Sequence, residues 1–251
     1  MTERSSIETE RFELIKRNIE GVRQRIARAA QESGRKETDV TLVAVTKTMP
    51  ASDAEAALEC GVGIIGENKV QELLAKLPEL DMRGHQAHII GHLQTNKVKM
   101  IIDKADMIQS VDSVHLASEI ERQAARAGIS MDVLLEVNIG GEESKTGVMP
   151  EKLDELLDAV AGMPHVKVRG LMAIPPRCEE KELSRPYFAK MRRLFVDIGG
   201  KKTDNIDMQI LSMGMSGDFD IAIQEGATMV RVGTAIFGRR SVSGQGNAPA
   251  V

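Results

Sequence analysis

Lys47 and a distant group made of Ser212, Gly214, Gly217, Arg231, Gly233 and Thr234 are the residues whose types and spacing could do chemistry together. Lys47 follows the apolar run Thr41-Leu-Val-Ala-Val-Thr46 and precedes a break at Met49-Pro50. Such a run, closed by proline, reads as a buried strand of the parallel type, which leaves the lysine at the mouth of a core. Desolvation lowers the pKa of an ammonium there, and the neutral amine is a nucleophile that forms Schiff bases with aldehydes. Position alone favours a lysine that merely starts a surface loop. The downstream group favours chemistry. Leu211-Ser-Met-Gly-Met-Ser216 offers a hydroxyl at Ser212 and glycines that let backbone N–H groups approach an anion. Met229-Val-Arg-Val-Gly-Thr234 ends where the short helix Ala235-Ile-Phe-Gly begins, and a helix N-terminus favours negative charge. Arg231 lies two residues before Gly233, on the same strand face. A buried arginine needs an acceptor, either a ligand ring nitrogen or an internal carboxylate such as Glu136.

These residues must be brought together by the elements between them. From Ser6 to about Arg35 the pattern is an amphipathic helix, with Ile15, Ile19, Val22, Ile26 and Ala29 in 4-3-4-3 spacing. Beyond it, strands are expected near 41–46, 62–65, 87–90, 107–110, 132–138, 166–172, 208–212 and 228–232. Helices are expected over 51–60, 67–77, 94–103, 112–127, 150–161, 181–198 and 217–225, several with capping residues such as Ser52-Asp53, Asp112-Ser113 and Pro150-Glu151. Eight strands alternating with helices predict a single (β/α)8 barrel over residues 1–240, followed by a small, polar and disordered tail at 241–251. The dinucleotide-type doubly wound sheet lacks its glycine-rich turn, because Lys47-Thr-Met-Pro contains no glycine. In a (β/α)8 barrel the working residues sit at the C-terminal strand ends, with phosphate commonly at strands seven and eight. The two glycine-bearing segments fall there.

Composition narrows the partners. Lys plus Arg number 33 against 37 Asp plus Glu, a formal charge of −4, so no basic surface for nucleic acid is indicated. Trp is absent and Tyr187 is the only tyrosine, which nearly excludes base-stacking platforms. Cys60 and Cys178 imply no disulfide framework and suit a reducing cytoplasm. No export signal or membrane-spanning run is present, and a cytoplasmic monomer is expected. His88 and His92 share metal-type spacing but lack a third ligand, so a core or capping role is expected instead.

A nucleophilic lysine, a phosphate cradle and an inward arginine together match the aldehyde, phosphate and pyridine nitrogen of pyridoxal 5′-phosphate. Val43-Ala-Val-Thr-Lys-Thr48, Ile65-Gly-Glu-Asn68, Val70-Gln-Glu72 and His88-Ile-Ile-Gly-His-Leu-Gln-Thr-Asn-Lys97 resemble the YggS/PROSC family of pyridoxal-phosphate homeostasis proteins. So do Arg169-Gly-Leu-Met-Ala-Ile174 and the two glycine-bearing segments, in order from about residue 10 to 240. The resemblance implies a barrel of the alanine racemase N-terminal type and a Schiff base on Lys47. It also implies phosphate contacts at Ser212, Gly233 and Thr234, and Arg231 near the ring nitrogen. Asn68, just past strand two, is placed either to reach the ring or to serve as the polar residue at a helix N-terminus, and Met213 lies inside the phosphate segment. The chain departs from some members at Lys69, where they carry tyrosine. Glu67-Asn-Lys and Ser144-Lys-Thr-Gly147 are read as loops after strands.

Three functions fit a lysine beside a phosphate site: a cofactor carrier serving apo-enzymes, an amino-acid racemase, and a Schiff-base aldolase for sugar phosphates. Racemisation needs acid and base on opposite faces of the imine, yet Tyr187 falls on an expected outer helix. An arginine at the ring nitrogen also weakens the cofactor as an electron sink. The carrier reading, without chemistry of its own, is favoured.

Overall fold

The computed structural model describes residues 6–142, 144–200 and 204–238, so the expected tail at 241–251 lies outside the described residues. Eight parallel strands, β1 (Thr41–Val45), β2 (Ile64–Glu67), β3 (Gln86–Ile89), β4 (Met107–Val111), β5 (Met131–Val137), β6 (Val166–Ala173), β7 (Ile206–Ser212) and β8 (Met229–Val232), close into a barrel in chain order. The closing seam pairs Val43 with Arg231 and Ala44 with Val232. The helices between strands are α2 (Ala51–Glu59), α3 (Val70–Lys76), α4 (Thr95–Ile101), α5 (Val114–Ala127), α6 (Leu153–Ala161), α7 (Arg185–Gly199) and α8 (Phe219–Gln224); the short α9 (Thr234–Phe237) follows β8. The expected (β/α)8 architecture is the observed one.

Alternation along each strand divides the apolar residues between two places. Ala44, Ile65, Ile89, Ile108, Val133, Val168, Leu211 and Val230 belong to the large core shared with the helices. The residues facing the barrel axis form two small clusters: Val43, Ile64 and Met229, and Met107, Leu134 and Met172, with Ile210 packed on both.

The leading helix α1 (Ser6–Glu32) buries Ile15, Ile19, Val22, Ile26 and Ala29, the stripe read from its spacing. It lies against α2, α8 and α9, across the seam where the last strand meets the first. Arg11 there donates to both oxygens of Asp53 on α2 and to the Phe237 carbonyl (3.0 Å), while Asn18 donates to the Ile236 carbonyl (2.7 Å). Two carbonyls at the end of α9 thus find donors on α1, as a helix C-terminus requires.

Some boundaries differ from the sequence reading. Ser113 caps α5, its hydroxyl accepting from the Leu116 N–H, as expected. Asp53, expected to cap, instead sits inside the first turn of α2, which begins at Ala51 after Pro50, and pairs with Arg11. Strand β2 runs to Glu67 and α3 starts only at Val70. The cause is packing: a Cβ at Gly66 would lie 2.9 Å from Val43 Cγ1, so the glycine lets the strand continue beside β1.

Gly170 marks a register shift between β6 and β7, with φ +152°. A Cβ there would lie 1.8 Å from the Ile210 carbonyl oxygen, which only backbone movement could relieve. Gly170→Ala should therefore destabilise the barrel by at least about 2 kcal/mol, read as a lower urea midpoint with unchanged slope.

Candidate functional site

Lys47 stands one residue beyond the last ladder bond of β1, in which the Thr46 N–H donates to the Gly66 carbonyl. A tight turn follows, closed by the Met49 N–H on the Thr46 carbonyl (2.9 Å), with Lys47 and Thr48 at its corner. Thr48 has φ +63°, a region that normally demands glycine in the third position of a turn and is costly for a β-branched residue. Side chains from β2 and α3 surround this turn. The Thr46 hydroxyl donates to Glu67 Oε1 (2.7 Å), Lys76 Nζ donates to the Thr46 carbonyl (2.7 Å), and the Thr48 N–H donates to Glu72 Oε2 (2.7 Å). Lys76 also ion-pairs with Glu67, which is fully buried. Burial pushes the Glu67 carboxyl upward, against the bonds from Lys76 and Thr46 that favour its charged form.

Lys47 lines a cavity of about 690 Å³ at the C-terminal ends of the strands. Asn68, His92, Glu136, Arg231, Gly233 and Thr234 line the same space. On its β8 side, Gly233 and α9 present backbone donors. The N–H groups of Gly233 (3.3 Å) and Ala235 (3.2 Å) both converge on the Ser216 hydroxyl, which marks where an anion's oxygen would be received. Gly214, at φ +90°, lets the chain turn from β7 into this loop; a Cβ there would lie 2.5 Å from Ala222 Cβ and 2.9 Å from Phe219 Cα.

Arg231 occupies the floor of the cavity and is 3% exposed. Its Nη1 donates to Ser212 Oγ (2.6 Å) and its Nη2 to the Ala173 carbonyl (2.9 Å). The Ser212 hydroxyl donates onward to Gln109 Oε1 (2.8 Å). The Gln109 amide nitrogen meets His88 Nδ1 (2.9 Å), and His88 Nε2 meets Gln86 Oε1 (3.2 Å). Arginine only donates, so this chain of bonds runs in one direction and assigns His88 the neutral form protonated on Nε2. Burial lowers the Arg231 pKa to about 10, with Glu136 and Asp218 acting the other way. Burial also pushes the Glu136 carboxyl upward, and its Oε1 accepts from the Thr146 hydroxyl (2.7 Å). The direct partners of Arg231 are thus a serine and a carbonyl rather than the carboxylate weighed from sequence.

The structure brings Lys47, Asn68, Arg231, Gly233 and Thr234 to one cavity. Ser212 and Met213 do not join them: both are fully buried, Ser212 engaged by Arg231 and Gln109, Met213 packed in the outer core. The hydroxyl at the anion-receiving end is Ser216, which the sequence reading passed over within the same segment. Glu67, read as a loop residue, is a buried strand end, whereas Lys145 does lie on the loop after β5, paired with Glu142 (2.7 Å). His88 takes a core role; His92 is exposed, 3.4 Å from Asp112. Gln109 was legible as an amide inside the short strand β4, a signal the reading did not use.

The sequence profile of the alanine racemase N-terminal domain matches residues 15–241, so the fold belongs to that class of barrel. Within it, a pyridoxal phosphate homeostasis protein of Aquifex aeolicus is 46% identical over 219 residues, covering 87% of this chain and 95% of the relative. A protein of unknown function from Bifidobacterium adolescentis superposes with a TM-score of 0.87 at 38% identity, covering 91% of this chain and 96% of that one. PipY of Synechococcus elongatus PCC7942, in a structure with PLP bound, gives a TM-score of 0.75 at 35% identity over 85% of this chain and 100% of that one. This chain belongs to the family of pyridoxal phosphate homeostasis proteins.

The buried histidine gives the barrel a pH dependence. Burial holds His88 at about 4 in the folded state, below its ordinary value of 6.5, so the unfolded chain binds more protons between those limits. Its contribution is complete above pH 6.5 and is lost as the pH falls toward 4, by about 3 kcal/mol in all. His88→Gln should remove that slope from the urea-unfolding free energy between pH 6.5 and 4, whatever it does to stability at neutral pH.

Proposed function

We propose that this protein binds pyridoxal 5′-phosphate at the mouth of the barrel and serves its homeostasis by holding the cofactor and passing it to apo-enzymes. The observation that carries the reading is the convergence on one cavity of Lys47, Arg231 and the donor-bearing start of α9. The residues fit the group. Lys47 is the amine for an aldehyde, and Gly233 and Ala235 with Thr234 receive a phosphate where the Ser216 hydroxyl marks an acceptor position. Arg231 faces the ring nitrogen, and Asn68 borders the ring. Ser212 supports this arrangement through Arg231 rather than by touching phosphate.

When bound, the cofactor supplies an aldehyde that condenses reversibly with the lysine amine, which makes retention covalent and release possible. Arg231 is a donor without acceptor capacity, so it favours an unprotonated ring nitrogen and a weak electron sink. Tyr187 lies on the outer helix α7, away from the cavity lining. The relatives' name supports a homeostatic role, and the guanidinium on the floor supports holding over turnover.

Borohydride reduction of the loaded protein followed by peptide mapping should place the pyridoxyl group on Lys47; finding it on Lys97 or Lys145 would overturn the assignment. Lys47→Ala should abolish the linkage absorbance and keep the fold. Thr234→Ala should weaken cofactor binding by about 1–2 kcal/mol, the scale of a hydrogen bond to a charged group. Pyridoxal lacking phosphate should bind far more weakly than the phosphorylated form.

Loaded protein should activate an apo-enzyme faster than it releases cofactor into buffer. Rapid Lys47-dependent deuterium exchange at Cα of a proteinogenic amino acid would instead make it an enzyme.

A further inference from the structure

The side chains around the Lys47 turn come from one short stretch, β2 into α3, and they grip the peptide groups on both sides of the lysine. Before it, the Thr46 carbonyl accepts from Lys76 Nζ and the Thr46 hydroxyl donates to Glu67. After it, the Thr48 N–H donates to Glu72. We propose that Glu67, Glu72 and Lys76 are positioning residues for Lys47, fixing the direction of its side chain from β2 and α3 where β1 no longer can. The proposal rests on the reading that Lys47 holds the cofactor.

Three observations favour this role over plain stabilisation. A buried ion pair contributes little to folding, because desolvating both charges offsets most of their attraction. The Lys76–Glu67 pair is also incomplete, since Glu67 Oε2 is buried and has no hydrogen-bond partner among the described residues. An arrangement selected for stability alone would satisfy both oxygens or replace the pair with apolar side chains. Finally, the turn it holds is unfavourable, with a threonine at φ +63°. Left to itself that turn would relax, and the lysine would swing with it. Strain of this kind persists only where surrounding groups over-determine it, and here Lys76 and Glu72 bond backbone atoms on either side of the lysine while Glu67 holds the Thr46 hydroxyl and Lys76.

A lysine whose base is fixed loses little freedom when its amine joins an aldehyde at a set place; one on a loose turn must be ordered at that moment. The device should therefore matter for the covalent step and not for docking of ring and phosphate. Two probes separate these: pyridoxal 5′-phosphate, and 4′-deoxypyridoxine 5′-phosphate, which keeps ring and phosphate but has no aldehyde.

Lys76→Met and Glu72→Gln should each weaken binding of the aldehyde by about tenfold or more and slow formation of its linkage. The deoxy analogue should bind each variant within about twofold of the unaltered protein, a change too small to report a lost contact. Equal weakening of both probes would show a merely structural network and overturn the proposal, as would no weakening of either. Should Lys76→Met fail to fold, Glu72→Gln at the half-buried end and Thr46→Val, which removes only one hydroxyl, carry the same test. Lys47→Ala checks the underlying reading separately: it should bind the two probes alike, and a Lys47→Ala protein that still preferred the aldehyde would sink that reading first.

Discussion

A guanidinium at the centre of a closed barrel has to be solvated by protein atoms, and the interior of this protein is arranged around that requirement. Arg231 sits on the floor of the cavity among strands otherwise filled with Val, Ile, Leu and Met. An unpaired buried charge is costly enough to lose its proton or disrupt the fold. Here a hydroxyl and a carbonyl take two of its donors, and the fields of Glu136 and Asp218 act from further off. Ser212 can accept only because its own proton is given to Gln109, and Gln109 is oriented in turn by His88 and Gln86. The polarity of five side chains follows from the one member that can only donate.

That order separates two tasks within the same mouth. The side near β7 and β8 is polar and hydrogen-bonded, built from Arg231, the loop after β7 and the start of α9. The side near β1 and β2 ends in a turn that is unfavourable by itself and is held by charged residues of its neighbours. A ligand bridging the two would meet fixed donors at one end and a directed amine at the other. This division suits the proposed role, in which a cofactor is held by phosphate and ring while its covalent bond stays reversible.

Much of this was legible in the sequence where residue type and strand position agree. Lys47, Asn68, Arg231, Gly233 and Thr234 follow or end apolar runs, and the barrel rule brings such positions to one mouth. The stripe of α1 was equally plain from its spacing. A serine at a strand end offers the same hydroxyl to a ligand or to an interior arginine, and here the Ser212 hydroxyl is engaged by Arg231 and Gln109. Glu67 looked like a turn residue from Gly-Glu-Asn; its partners are Thr46, just past β1, and Lys76, a full helix away. Ser216 escaped because loops have no periodicity to read. The missed residues are those whose role is defined by partners distant in sequence, where local propensity carries no information.

The helix that bridges the seam has a consequence for the birth of the molecule. On a ribosome α1 emerges well before the surfaces of α8 and α9 that receive it. Closing contacts between the two ends of a chain are slow to form, because so much polypeptide must be ordered before they can be made. Throughout translation the stripe of Ile15, Ile19, Val22 and Ile26 therefore has only part of its native covering. Exposed apolar stripes of this kind are what holding chaperones bind and what drives nascent chains to associate. The segment that locks the finished barrel thus waits for its full covering until the last strand and α9 leave the exit tunnel.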